Sequence, residues 1–379
     1  MKDRAKKINY CTHSNLNDLS FGGSNNDNKF IVSIPSKFKI NKVFPNRNKD
    51  NSVSILNSLK MVLKLVALST KLHQIFVIRG TRPGFIPILL KKFMKHKVVL
   101  NMGCTPFSTI ERRAFYKNLS YKIKNNILTK IFLKLEFQFE KLLVRKADII
   151  FVENVQARMI VSKFGGDSSK FVLIPYYVQK YFLTTKNLPY ELKNGDPLII
   201  GYTGRFHKYD KLEPLIDAIK ILKEKGFPII LKLIGDGPTK IENQKKVMYL
   251  DLKDEIIFLG SQKHQNVSKI IDTEHVLVLP MVKNICPSTI PIKMLEGVIK
   301  GKIILTNNSG NIKSLFNPYY DLVLEDFSDP NLIAEKLVEI SNNYEKFHIN
   351  AQELRDRHLQ KHNQTFFKNQ IEKTLIHLK

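Results

Sequence analysis

The chain has 379 residues, which suits two domains of ordinary size, and its 43% hydrophobic content is enough to bury real cores. Its three cysteines, Cys11, Cys104 and Cys286, are scattered and odd in number, which excludes a disulfide framework and points to a reducing compartment. The N-terminus lacks an apolar signal core and no apolar run reaches about 18 residues, so neither secretion nor a membrane span is expected.

The formal net charge of +27 is unevenly spread. Residues 1–195 hold 35 Lys and Arg against 11 Asp and Glu; residues 196–379 hold 26 against 23. Halves this different read as two domains with different partners. A basic half suits nucleic acid or an anionic membrane surface, set against a plain solvated surface in a lysine-rich chain.

In chain order, residues 7–13 read as a first strand. A loop through Phe21, Gly22, Gly23 and Ser24 follows, where two glycines either let a phosphate or sugar approach the backbone or simply turn the chain. Residues 30–35 (FIVSIP) read as a second strand. Residues 52–72 read as a helix with Leu56, Leu59, Leu63 and Val66 on one face. Strands at 74–79 and 97–101 end in loops that carry Arg82, Asn101 and Cys104. Ligands of open α/β sheets bind outside the carboxyl ends of the strands, so these loops are natural walls of a cleft. Residues 118–146 form the longest helical pattern, an apolar stripe through Ile131, Leu135 and Leu143 flanked by lysines. Such a helix either lies on an anionic bilayer or covers a sheet. Strand 147–152, helix 154–164 and strand 170–175 complete this half, and the polar stretch 176–197 reads as a linker.

The pattern then restarts. Strand 198–203 leads to helix 212–225, and strand 229–234 ends in a Gly235-Asp236-Gly237-Pro238 turn. Helix 240–250, strand 256–259, a short helix at 267–271 and strand 276–279 follow. A polar Pro287-Ser288-Thr289 turn opens helix 292–299, with Lys293 and Glu296 three apart; Gly301 ends it before strand 302–305. A helix that begins in such a turn offers free N–H groups and a positive dipole end to a phosphate. A carboxylate one to two turns in suits a ribose diol, although an ordinary βαβ unit with a surface glutamate has the same letters. Final helices are expected at 332–342 and 351–378. Alternation through both halves predicts two doubly wound parallel sheets.

The second half also resembles retaining glycosyltransferases of the GT-B fold, specifically family 4 (glycosyl transferases group 1). Gly204-Arg205-Phe206 after a strand, with Lys208 and Lys211 behind, is similar to that family's phosphate-binding turn. Ile234 to Pro238 is similar to its I-G-x-G-P turn, Phe258-Leu259-Gly260 to its F-L-G strand end and Leu277 to Pro280 to its V-L-P-S strand. Ser288 to Gly297 is similar to its variant S-x-P-x-K-x-x-E motif. The resemblance covers about 110 residues with the five blocks in order; the first half matches only in outline.

The resemblance implies two Rossmann-like domains facing a cleft: an acceptor-binding domain at 1–180, a nucleotide-sugar-binding domain at 197–360, and a C-terminal helix at 361–379 packing back toward the first. Arg205, an always-charged fork donor, would hold a diphosphate. Lys211 or Lys208 would add a second cation, because the family's usual lysine position is Asp210 here. Glu296 would hold the ribose. Ser288, Thr289 and Ile290 would present hydroxyl and N–H groups to the phosphates, Gly260, Ser261 and Gln262 would border the base, and Gly235 and Lys293 would belong to the same donor site. Gly22, Gly23, Arg82, Asn101 and Cys104 would face the acceptor. Ser288 replaces the first of the family's two glutamates, which leaves the sugar open. The implied reaction is hexosyl transfer from a UDP- or GDP-sugar with retention, using no metal and no other cofactor. The basic half adds the expectation of a lipid-linked or saccharide acceptor in bacterial surface polysaccharide synthesis (lipopolysaccharide, O-antigen or capsule). That places the enzyme in the cytoplasm, peripheral on the inner membrane face against an anionic surface. A GT-B sugar-nucleotide epimerase and a basic nucleic-acid-binding protein are the competing readings; no stacking-aromatic motif supports the latter, so no nucleic acid is expected.

Overall fold

The structure is a computed structural model, and it describes residues 7–12, 22–45, 55–80, 82–102, 127–184, 192, 195–207, 212–280, 290–308, 312–319, 322–324 and 326–378. The chain divides into two compact units, one of Met1–Tyr176 with Gln364–Lys379 and one of Tyr177–Asn363.

The first unit alternates β1 (Lys7–Cys11), α1 (Gly22–Ser33), β2 (Lys39–Val43), α2 (Ile55–Ser69), β3 (Ile75–Ile78), α3 (Phe85–Met94), β4 (Lys97–Met102), α4 (Ile127–Lys146), β5 (Ile149–Val152), α5 (Val155–Ser162) and β6 (Phe171–Leu173). Its strands form one parallel sheet in the order β2-β1-β3-β4-β5-β6. Strands such as IFVI and IIFV carry apolar residues without alternation, as strands covered on both faces do.

The second unit holds α6 (Lys180–Leu183), β7 (Leu198–Thr203), α7 (Leu212–Glu224), β8 (Ile229–Ile234), α8 (Lys240–Tyr249), β9 (Ile256–Gly260), α9 (His264–Asp272), β10 (Val276–Leu279), α10 (Ile292–Ile299), β11 (Ile303–Asn307), α11 (Ile312–Phe316), β12 (Val323–Leu324), α12 (Pro330–Asn342) and α13 (Tyr344–Leu359). A last helix, α14 (Gln364–Ile376), belongs to the first unit, where Phe367 meets Phe30 edge-on at 6.2 Å and Glu372 pairs with Lys37 at 3.0 Å. The second sheet is also all parallel, in the order β12-β11-β10-β7-β8-β9. The strand order therefore reverses between β7 and β10, which is where such sheets bind ligands.

α10 shows how local sequence fixes this arrangement. Its inner face, Met294, Leu295, Val298 and Ile299, is buried. A Cβ on Gly297 would come within 2.6 Å of Leu277 and Ile304, so glycine lets the helix lie close on β10 and β11. Gly301, at φ 66°, ends the helix: its N–H donates to Val298 and that of Lys302 donates to Gly297, a Schellman closure.

Several expectations need correction. Residues 30–35 are not a strand but the end of α1 and its following turn. Phe30, Ile31, Ser33 and Ile34 are buried while Val32 is exposed, a helical pattern hidden by β-branched letters. The second strand is instead β2 (KINKV), polar because it is a sheet edge. Gly22 and Gly23 consequently lie in the first turn of α1 rather than in a loop. Asn101 lies inside β4, not after it, buried with its Nδ2 donating to the Tyr10 hydroxyl at 3.4 Å. Arg82 opens a single 3-10 turn, Arg82–Gly84. Cys104 lies outside the described residues. The stretch read as a linker contains α6, anchored by buried Tyr177, Val178 and Phe182. Residues 351–378 are not one helix: α13 and α14 part at a turn where His362 accepts a hydrogen bond from the Val178 N–H.

Candidate functional site

Three turns at the carboxyl ends of β7, β8 and β9 are joined by backbone hydrogen bonds. The Gly204 N–H donates to Ile234 at 3.0 Å, the Gly235 N–H to Gly260 at 2.9 Å, and the Phe206 N–H to Asp236 at 3.0 Å. The turns touch so closely that a Cβ on Gly235 would sit 1.8 Å from the Gly204 carbonyl oxygen, and one on Gly237 2.2 Å from that of Phe206. Glycine at 235 is thus required both by this approach and by its φ of 141°. Asp236 closes the β8 turn, accepting from the Gly237 N–H at 2.7 Å and from Lys240 Nζ at 2.9 Å; these bonds hold its carboxyl below the usual range.

Arg205 projects from this rigid base. Its neighbour Phe206 is fully buried against Tyr202 and Phe258, and the Tyr202 hydroxyl donates to the Arg205 carbonyl at 3.0 Å. The backbone is pinned on both sides while the guanidinium is exposed and forms no ion pair among the described residues. Lys208 and Lys211 lie outside the described residues, as do Ser288 and Thr289.

Across the switch point, half-buried Ile290 and Pro291 lead into α10. Lys293, in its first turn, places Nζ 4.8 Å over the Tyr202 ring, and a Cβ on Gly204 would come within 2.9 Å of that ammonium. The β7 turn and the start of α10 are therefore in contact, which brings Gly204, Lys293 and the Arg205 backbone together. Ser261 and Gln262 are exposed on the β9 turn, where Gln262 Nε2 donates to the Leu259 carbonyl at 2.7 Å.

Glu296 is 3% exposed, one turn further along α10. His264 Nε2 stands 2.8 Å from its Oε1, yet that oxygen receives no aligned hydrogen bond among the described residues. On the other side of the imidazole, Nδ1 lies 2.6 Å from the Tyr181 hydroxyl. Burial, aided by the nearby Glu296 charge, pushes the Tyr181 phenol up to about 12. The phenol therefore keeps its proton and pairs with Nδ1, while Nε2 of the same ring stands beside Glu296. Tyr181 is itself held by α9, where Ser268 Oγ donates to its carbonyl at 2.8 Å. Neither His264 nor Tyr181 was legible as part of this site: one stood between a predicted turn and a short helix, the other in a stretch read as linker.

In chemical terms, an exposed guanidinium on the β7 turn, a lysine and a helix N-terminus beside that turn, and a buried carboxylate one turn further along α10 share the switch-point end of the sheet. That set suits a ligand with negative charge at one end and a diol at the other. The glycosyl transferases group 1 family matches residues 185–357, a span that contains Arg205, Lys293 and Glu296. These residues form a glycosyltransferase domain. A curated relative, the putative glycosyltransferase EpsF of Bacillus subtilis, is 28% identical over 115 residues, which is 30% of this chain and 28% of that protein. The chain thus spans under a third of that relative's length in the alignment. Among solved structures, Anabaena HepE in complex with UDP superposes with a TM-score of 0.71 at 13% identity, covering 98% of this chain and 100% of that one. Sucrose-phosphate synthase from Thermosynechococcus elongatus gives 0.73 at 14% identity, covering 98% and 99%. Two parallel α/β units with these neighbours are the GT-B fold. The glycosyltransferase domain provides the second of its two sheets, with the candidate site at the carboxyl ends of that sheet's strands.

Proposed function

We propose that the protein is a retaining family 4 glycosyltransferase that moves a hexosyl group from a nucleoside-diphosphate sugar to a lipid-linked acceptor. The observation that carries this is the pairing of exposed Arg205, on its pinned turn, with the buried Glu296 carboxylate across the β7/β10 switch point. Arg205 binds the diphosphate, with Lys211 or Lys208 beside it. Glu296 takes the ribose hydroxyls, with His264 beside its Oε1. Ser288, Thr289, Ile290 and Lys293 present N–H, hydroxyl and ammonium groups to the phosphates; Gly260, Ser261 and Gln262 border the base. UDP is the first nucleotide to test, since HepE, of the same fold, has been solved with UDP and with UDP-glucose.

In the reaction the bond from the anomeric carbon to the diphosphate oxygen breaks, and a bond to the acceptor oxygen forms on the same face. The acceptor proton passes to the departing diphosphate. Negative charge grows on that leaving group, so Arg205 and the α10 N–H groups bind the transition state more strongly than the ground state. These fixed cations do the work a divalent ion does elsewhere, so chelators should leave the rate unchanged. The basic first unit takes the acceptor; Gly22, Gly23, Arg82, Asn101 and Cys104 are the residues to test there. Its charge, and the absence among the described residues of any helix long and apolar enough to cross a membrane, support a peripheral enzyme of bacterial surface polysaccharide synthesis working at an anionic membrane face.

Label transfer decides the reading. With UDP- and GDP-hexoses labelled in the sugar and a bacterial lipid extract, the label should enter the lipid phase with the donor's anomeric configuration. One nucleoside diphosphate should be released per sugar moved. A sugar that stays on its nucleotide while changing configuration would show an epimerase instead.

A further inference from the structure

A helix that covers a sheet needs one apolar stripe, and α2 has two. Met61 and Leu65 face inward and are buried, with Leu68 partly buried beside them. Leu56, Leu59, Leu63 and Val66, spaced three or four apart, form a second stripe that is exposed, Leu63 at 59%. The adjoining α3 repeats the arrangement: Ile88 is buried, while Phe85, Leu89 and Phe93 stand exposed every fourth residue, Phe93 at 75%. α2 packs against α3 and α3 against α4, with Phe85 and Phe139 rings 4.8 Å apart, so the three helices share one face of the first unit's sheet. On α4, Ile131 and Leu135 are exposed as well.

The exposed charges on these helices, among the described residues, have a single sign. Lys60, Lys71, Lys92, Lys95 and Lys134 are exposed among or beside the apolar residues. No Asp or Glu occurs between Asp50 and Glu111, and the two acids of α4, Glu136 and Glu140, are buried. Among the described residues of these helices every exposed charge is a cation, and an apolar face so rimmed repels a second copy of itself and complements a surface that is apolar within and anionic at its rim. We propose that the α2–α3 face, extended by the exposed side of α4, docks in the plane of an anionic phospholipid bilayer. Leucine and phenylalanine enter the headgroup boundary and the lysines meet lipid phosphates. This deepens the membrane reading above and assigns it to a defined surface; it does not depend on the nucleotide site, which lies in the other unit.

The chain contains no tryptophan, so one introduced indole reports on one position. Full-length Leu63→Trp and Phe93→Trp, with Tyr249→Trp as control (88% exposed on α8 of the second unit), are mixed with phosphatidylcholine vesicles with or without phosphatidylglycerol. The acyl chains are brominated. The proposal expects a blue shift and strong quenching for Leu63→Trp and Phe93→Trp on anionic vesicles only, and none for Tyr249→Trp. Adding Leu59→Ser and Leu89→Ser should lower vesicle binding about tenfold. Absence of quenching at both positions overturns the proposal, as does dimerisation that hides them. Nucleotide binding by the same variants is measured in parallel, so failure of the docking face and failure of the transferase reading are separate results.

Discussion

In the proposed transferase, Arg205 and Glu296 meet one ligand in opposite ways. Arg205 is exposed on a pinned turn, so its loss should leave folding intact and remove charge-assisted hydrogen bonds worth about 1.5–3 kcal/mol. Arg205→Ala should therefore weaken nucleoside-diphosphate binding by roughly 10- to 100-fold with Tm unchanged. Glu296 is buried and its orientation depends on the Tyr181–His264 pair. Tyr181→Phe should weaken binding by about threefold, less than loss of the carboxylate itself, because it acts only through His264. Glu274, at the opposite end of the same sheet, gives a test of stability. Its two carboxyl oxygens are buried without hydrogen-bond partners among the described residues, and burial pushes the group from 4.5 up to about 8 against the opposing pull of Lys232 and Lys302. Because the folded value lies above the unfolded one, this contribution is fully present below 4.5 and lost as pH rises through 8. Melting curves should show wild type losing several degrees relative to Glu274→Gln across that window; a gap independent of pH would mean the carboxyl is ionised throughout.

At the scale of elements, the joined turns are the structural requirement of the site. Gly235→Ala places a methyl group 1.8 Å from the Gly204 carbonyl oxygen and strains a φ of 141°, so the β7 and β8 turns must separate. The expected result is a loss of about 1–3 kcal/mol of stability together with nucleotide binding, checked by denaturant unfolding and calorimetry. The elements of the second unit were largely legible because parallel strands such as VLVL and amphipathic helices such as α7 announce their periods. In the first unit the letters misled. FIVSIP reads as a strand because β-branched residues dominate it, yet its burial is helical; KINKV was passed over because an edge strand keeps its polar residues. The leucines of α2 read only as one face, and the stripe of α4 stayed open between a bilayer and a sheet, because periodicity reports a face, not what covers it.

For the whole molecule, charge and fold divide the same way. The basic half of the sequence corresponds to the unit that bears the exposed apolar helices, and the near-neutral half to the unit that bears the candidate donor site. Residue order along the chain disclosed Arg205 and Glu296 but not the His264–Tyr181 support, which exists only once α6 folds against α9 and α10. In the proposed function the second unit binds a nucleoside diphosphate between the β7 turn and α10. Calorimetric titration of UDP, GDP and ADP into wild type, Arg205→Ala and Glu296→Ala tests it most directly. One-site binding of one nucleotide is expected, weakened at least tenfold in each variant. No binding to the folded wild type, or equal affinity in all three proteins, would contradict it.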